Sequence, residues 1–294
     1  MMMDCAVREK KRTAFPITKP PAETLHNYIL QIMQAFAVSV PGNGHIRREI
    51  PCQDASGVWL TPRPCIIVCD GRGSASLSHL GARAAVKAFR SQCAVMERRL
   101  AAILDTPHCG AQEWTRFCRM MIRTVAQQKI ELAEEHNCSE REFDFTIAFA
   151  VLGQCRIGCF QVGDGALTVQ RNGKCAVVFP PDKGEFDNQT SFLKTGLDNT
   201  GQFHAETIDA SGVTGLAITS DGPEHLMFDL QTMTPGPIFT QLFSDLAVGQ
   251  LTRQDILDYL TGSRWTRDPR GADDRSLAIL SIPPVFQETA DGLV

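Results

Sequence analysis

The stretch 143–179 leaves this chain few folds to choose from. Four apolar, strand-like runs, Phe143–Leu152, Cys155–Val162, Ala166–Gln170 and Cys175–Phe179, follow one another with only short polar breaks. Those breaks contain Gly153-Gln154, Gly163-Asp164-Gly165 and Asn172-Gly173. Connections this short join antiparallel neighbours, because a parallel pair needs a crossover of about a dozen residues or more. Asn-Gly is a hairpin signal in its own right, since both central residues of the tight turn take positive φ.

Around this meander the elements come in blocks. Strands are predicted over Gln34–Val40, Ser56–Leu60 and Pro64–Cys69, then helices over Ser76–Arg90, Cys93–Leu104 and Glu113–His136. Past the meander lie strands Phe203–Asp209 and Gly215–Thr219, helices Pro237–Val248 and Thr252–Leu260, and a last strand Leu277–Ile282. Blocked order predicts an α+β fold with antiparallel sheets and helices outside them, not a doubly wound parallel sheet. A helix is also predicted over Ala22–Ile32, a turn at Pro41-Gly42-Asn43-Gly44, and a long polar loop over Pro180–Gly201. The expected organisation is a flexible leader 1–20, one domain 21–285, and a tail 286–294.

Charge and cysteine content exclude several classes. The chain has 29 Lys+Arg against 33 Asp+Glu, so 29 − 33 gives −4, and no basic excess exists to neutralise nucleic-acid phosphates. The longest apolar run, Phe145–Leu152, is far short of the roughly 20 residues that span a bilayer. The first residues lack an apolar segment and lead into the charged run Arg8–Arg12, so a cytoplasmic protein with reduced thiols is expected. Of the eleven cysteines, Cys65/Cys69 and Cys155/Cys159 are spaced four apart in apolar runs. On a strand that spacing separates them by about 13 Å, too far for one zinc ion, so they read as core filling.

The chemistry-bearing residues are aspartates where apolar strands stop. Ile66-Ile67-Val68-Cys69 runs into Asp70-Gly71, and Leu216-Ala217-Ile218-Thr219-Ser220 into Asp221-Gly222. Asp273-Asp274 precedes Leu277-Ala278-Ile279-Leu280, Asp54 precedes another strand, and Asp164 follows one. One Asp-Gly is an ordinary turn. Several carboxylates meeting at one sheet edge would repel one another unless a divalent cation held them, and hard oxygen ligands suit Mg²⁺ or Mn²⁺. Two such ions bridged by a carboxylate would activate a water for in-line attack on phosphorus.

Six segments, in order, resemble the protein phosphatase 2C family, the metal-dependent Ser/Thr phosphatases, and most closely its bacterial branch. They are Gly44-His45-Ile46-Arg47 through Pro51-Cys52-Gln53-Asp54-Ala55, Cys69-Asp70-Gly71-Arg72-Gly73-Ser74, Val162-Gly163-Asp164-Gly165, Gly184–Thr190, Thr219-Ser220-Asp221-Gly222 and Asp273-Asp274-Arg275-Ser276. The resemblance implies an α-β-β-α sandwich of two antiparallel sheets flanked by helices. It implies hydrolysis of phosphoserine and phosphothreonine by a metal-activated water, with two Mn²⁺ or Mg²⁺ ions and a third site as an extension.

By the same resemblance, Asp70, Asp221 and Asp274 hold the nucleophilic water through the metals, with the Gly71 carbonyl as a further ligand. Asp54 and Gln53 act through water, and Gln53 replaces the usual Glu. Asp164 matches the third-site carboxylate, whose usual partner four residues after Asp221 is here His225. Arg48, with Arg47 as competitor, lies near the family's phosphate-binding arginine. Arg72 replaces a frequent His and is a further phosphate candidate, although arginine cannot donate a proton near neutral pH. His45 is placed to orient a loop, and Trp265 begins a loop whose Arg267 and Arg270 could meet an acidic phosphopeptide. The implied partners are phosphoproteins of a cognate Ser/Thr kinase, without nucleic acid or membrane, and a monomer is expected. The competing reading is a catalytically silent phosphatase-fold module that binds phosphopeptides or serves as a scaffold.

Overall fold

A computed structural model describes residues 33–107, 111–179, 192–193 and 203–283. The predicted helix Ala22–Ile32, the leader, the tail, the segment Gly184–Thr190 and most of the loop 180–201 lie outside the described residues. Two five-stranded sheets carry the fold. One has the order β1 (Ala35–Val40), β12 (Arg275–Ser281), β9 (Val213–Thr219), β6 (Ala166–Arg171), β7 (Lys174–Val177). The other runs β2 (Ala55–Trp59), β3 (Cys65–Gly71), β4 (Phe145–Leu152), β5 (Arg156–Val162), β8 (His204–Asp209). Every pairing is antiparallel, as the short connections require. At the hairpin between β6 and β7, Asn172 and Gly173 have φ of 50° and 76°.

The continuous apolar runs are explained by burial on both faces. On β3, Cys65, Ile67 and Cys69 pack under helices α2 (Ser78–Val95), α3 (Glu97–Leu104) and α4 (Ala111–His136). Ile66 and Val68 point the other way, against Leu216, Ile218, Ala278 and Leu280 of the first sheet. That sheet's outer face, Val38, Ala217, Leu277 and Ile279, is covered by α6 (Pro237–Ala247) and α7 (Arg253–Thr261). The layers are therefore helix, sheet, sheet, helix. Among the described residues no helix is long and apolar enough to cross a membrane.

Two local expectations are corrected. The turn at 41–44 opens a short helix, α1 (Asn43–Arg48), because the Gly42 carbonyl accepts from Ile46 N–H at 2.9 Å and starts a helical turn. The loop expected at Trp265 is helical, α8 (Ser263–Arg267), and the indole is fully buried, donating to the Tyr259 carbonyl. Between β9 and α6 the chain also forms α5 (Glu224–Met227) and a ladder of β10 (Phe228–Asp229) with β11 (Thr234–Pro235), none of which has a periodic signature. The cysteines on β3, Cys65 and Cys69, lie in the core as thiols.

Candidate functional site

Strand pairing gathers the acidic residues. Ala55 pairs with Cys69 and Asp70 with Thr146, so the start of β2 and the ends of β3 and β5 share one edge of their sheet. Leu277 and Ala166 both pair with Thr219, which brings the start of β12, the end of β9 and the start of β6 together in the other sheet. A direct tie between the two edges is Ser220 Oγ, which donates to Asp54 Oδ2 at 2.8 Å and accepts from Ser276 N–H at 2.9 Å. Asp54, Asp70, Asp164, Asp221 and Asp273-Asp274 thus lie at one end of the sandwich.

The carboxyls crowd one another. Asp70 and Asp221 lie close enough for each to bear on the other's proton affinity, and two carboxylates that close settle only around a shared proton or cation. Burial, with the charges of Asp54 and Asp221, raises Asp70 well above the ordinary carboxylate range. Burial and the charges of Asp273 and Asp164 push Asp221 up to about 6. Burial and the Asp274 charge push Asp54 up to about 8. Asp54 Oδ1, Asp221 Oδ1 and Gln53 Oε1 are buried without a hydrogen-bond partner. Among the described residues no three His, Cys, Asp or Glu side chains stand at a common ligating distance, so the carboxyls are gathered but not drawn onto one point. An all-oxygen set with unpaired buried acceptors fits a hard divalent cation.

The two adjacent aspartates differ sharply. Asp274 is buried, and both its oxygens are engaged: Oδ1 accepts from Gly42 N–H at 2.7 Å and His45 Nδ1 at 2.8 Å, Oδ2 from Gln53 N–H at 2.6 Å. Asp273 is exposed, and its charge bears on both Asp70 and Asp221. The structure thus engages Asp274, expected as a direct ligand, with three protein donors, and puts the Asp273 charge within reach of Asp70 and Asp221. The motif Asp273-Asp274 was visible in the sequence, but nothing in it said which residue faces inward.

Gln53 has a use that an ionised glutamate could not fill. Its Nε2 donates to the Ala75 carbonyl at 2.7 Å, while the backbone packs against Gly71, where a Cβ would lie 2.6 Å from the Gln53 carbonyl oxygen. Arg72 is tethered just past the end of β3. Its Nε donates to Ser74 Oγ at 2.9 Å, Nη1 lies 3.4 Å from Asp144 Oδ2, and the guanidinium stands over the Phe192 ring. Asp144 also pairs with the buried Lys129 at 2.6 Å, which in turn donates to the Leu193 carbonyl. Arg47 and Arg48 lie on the exposed face of α1, and Arg48 Nε donates to the Gly44 carbonyl at 3.0 Å. His225 faces Asp268 across 3.4 Å and meets Trp265 edge-on.

Gly222, next to Asp221, packs so closely on the Asp274 carbonyl that a Cβ would overlap it, and the obstacle is backbone. Gly222→Ala is expected to destabilise the fold by about 2–4 kcal/mol. A melting curve checks this, and an unchanged midpoint would show that the two strand ends can part without cost.

A family profile described as protein phosphatase 2C matches residues 41–260. The chain is 28% identical over 253 residues to Serine/threonine-protein phosphatase 3 of Escherichia coli (strain K12), covering 82% of this chain and 95% of that protein. Among solved structures it is similar to a bacterial serine phosphatase, with TM-score 0.59 at 15% identity over 85% of this chain and 98% of that one. It is also similar to the catalytic domain of the serine threonine protein phosphatase PstP in complex with 2 manganese ions, with TM-score 0.53 at 12% identity over 85% and 97% of the chains. The profile ends before Asp273, whereas the fold places β12, which follows it, between β1 and β9.

Proposed function

The chain belongs to the protein phosphatase 2C family, and we propose that it is a metal-dependent phosphatase acting on phosphoserine and phosphothreonine of proteins. The carrying observation is the contact of Asp70 with Asp221, with unpartnered buried oxygens on Asp221 and Asp54 beside it. Asp70, Asp221 and Asp273, with the Gly71 carbonyl, would hold two Mn²⁺ or Mg²⁺ ions, and Asp54 and Gln53 would contact them through water. Bound there, the ions would supply an activated water and neutralise charge on the phosphoryl group.

The protein's own groups divide the remaining work. Ser220 holds Asp54 by one oxygen and leaves the other buried without a hydrogen-bond partner. A guanidinium on α1, from Arg48 or Arg47, would bind the phosphoryl dianion at the exposed rim. Arg72, tied to Asp144 and Ser74, would contribute charge and not a proton. Asp164 would serve a third ion, although the residue four past Asp221, His225, is paired with Asp268.

The silent-module reading has two observations of its own: Gln53 spends its amide on Ala75, and Arg72 is tethered away from a free role. One experiment separates the two. Phosphate release from a phosphothreonine peptide is expected with Mn²⁺ or Mg²⁺, to be lost on chelation and restored by readdition, with two ions per chain by calorimetry. Release no greater than in the chelated control, with no ion bound, would leave the silent module as the better reading.

A further inference from the structure

Both oxygens of Asp274 are engaged, and their donors come from three separate pieces of chain. Gly42 ends the turn after β1, His45 lies on α1, and Gln53 leads into β2. Two of these donors are backbone amides; His45 supplies a side chain, buried to the same degree as its acceptor. An ionised carboxylate only accepts, so His45 carries its proton on Nδ1. The bonds are short and charge-assisted, and leaving such a buried acceptor unpaired is costly.

The pull on Asp274 is passed on in two directions. Its own N–H donates to Asp273 Oδ1 at 2.9 Å. On the other side, the Gln53 backbone that it holds packs on Gly71 and leads directly into Asp54. Gly42 and Gly44 press on Ala272, and Asn43 Nδ2 donates to the Trp265 carbonyl at 3.0 Å, so the 41–45 and 265–274 segments are clasped over the same spot.

We infer that His45 is a positioning residue: through Nδ1 it fixes Asp274, and through Asp274 it sets the spacing between Asp273 on one side and Gln53-Asp54 on the other. The inference rests on the reading of these carboxyls as a metal centre. It extends that reading to a side chain that touches neither substrate nor metal.

Two similar neutral amides test it. His45→Asn puts its amide nitrogen where Nδ1 stands, and His45→Gln reaches toward the position of Nε2 and withdraws the donor from Asp274. The readouts are Mn²⁺ affinity by calorimetry and, in metal-free protein, hydrogen exchange of the Gly42 and Gln53 amides. The Asn variant is expected to bind Mn²⁺ within about twofold of wild type, and the Gln variant about tenfold more weakly. The same two amides are expected to exchange about tenfold faster in the Gln variant only. Equal affinities and equal exchange in the two variants would overturn the inference. So would melting temperatures that fall in both while Mn²⁺ affinity stays at the wild-type value. If wild type binds no Mn²⁺, the metal reading falls, and exchange alone then decides the brace: faster in Gln than Asn supports it, equal rates refute it.

Discussion

Replacing Asp70 by Asn is expected to move activity and stability in opposite directions. Hydrolysis of a phosphothreonine peptide with Mn²⁺ present should fall by about 10³-fold, to the level of chelated wild type. That corresponds to about 4 kcal/mol of transition-state stabilisation, within what a metal site supplies. The metal-free protein should become more stable. Asp70 sits against Asp221 within reach of the Asp54 and Asp273 charges, and it is held there at the cost of a raised proton affinity. Asparagine carries no charge and brings a permanent N–H donor, so the contact with Asp221 survives without the repulsion. A gain of about 1–2 kcal/mol is expected, the usual direction when a strained functional group is neutralised. For a chain of this size that is a few degrees in melting temperature. Turnover above a tenth of wild type, or a lower metal-free melting temperature, would remove Asp70 from the centre of the site.

The metal-free protein is also expected to lose stability as pH rises, and divalent cation to reverse the loss. In the fold Asp54 is pushed up to about 8 and Asp221 to about 6. In the unfolded chain both titrate near the ordinary aspartate value of about 3.9. Between those limits the folded protein holds protons that the unfolded chain has released. Stability from these groups is therefore full below about pH 4 and drains away as pH rises through the folded values. These shifts give a loss on the order of 5 kcal/mol between pH 5 and pH 8. Added Mn²⁺ takes the place of the protons, so its thermal shift should be largest at pH 8 and small at pH 5. In Asp70→Asn both the pH slope and the Mn²⁺ shift should shrink. A Mn²⁺ shift that is the same at both pH values would show that these carboxyls do not hold the ion.

Much of this was legible because it depends on short-range pattern. Short connections between apolar runs dictate antiparallel pairing, and runs without alternation indicate strands buried on both faces, as in β4 and β9. The Asn172-Gly173 hairpin needed only local chemistry. Aspartates flush against strand ends were visible as candidates before any pairing was known. Elements of a few residues, such as α1, α5 and α8, escaped because they are too short to show a period. Trp265 read as part of a loop because the contacts that bury it, from Tyr259, His225 and Arg275, are tertiary.

By itself the sequence determined the antiparallel order, the layering of helices outside sheets, and the set of carboxyls able to meet. Which of those carboxyls face one another was decided only by the tertiary structure. Asp273 sits in a bend and Asp274 directly precedes β12, so the two neighbours meet different surroundings, and composition is silent on which meets which. The choice follows from register. Val40 pairs with Arg275 and Leu277 with Thr219, which sets Asp274 against Gly42, His45 and Gln53 and leaves Asp273 toward Asp70 and Asp221. Those partners come from more than 200 residues away in the chain, a distance over which no local pattern carries information.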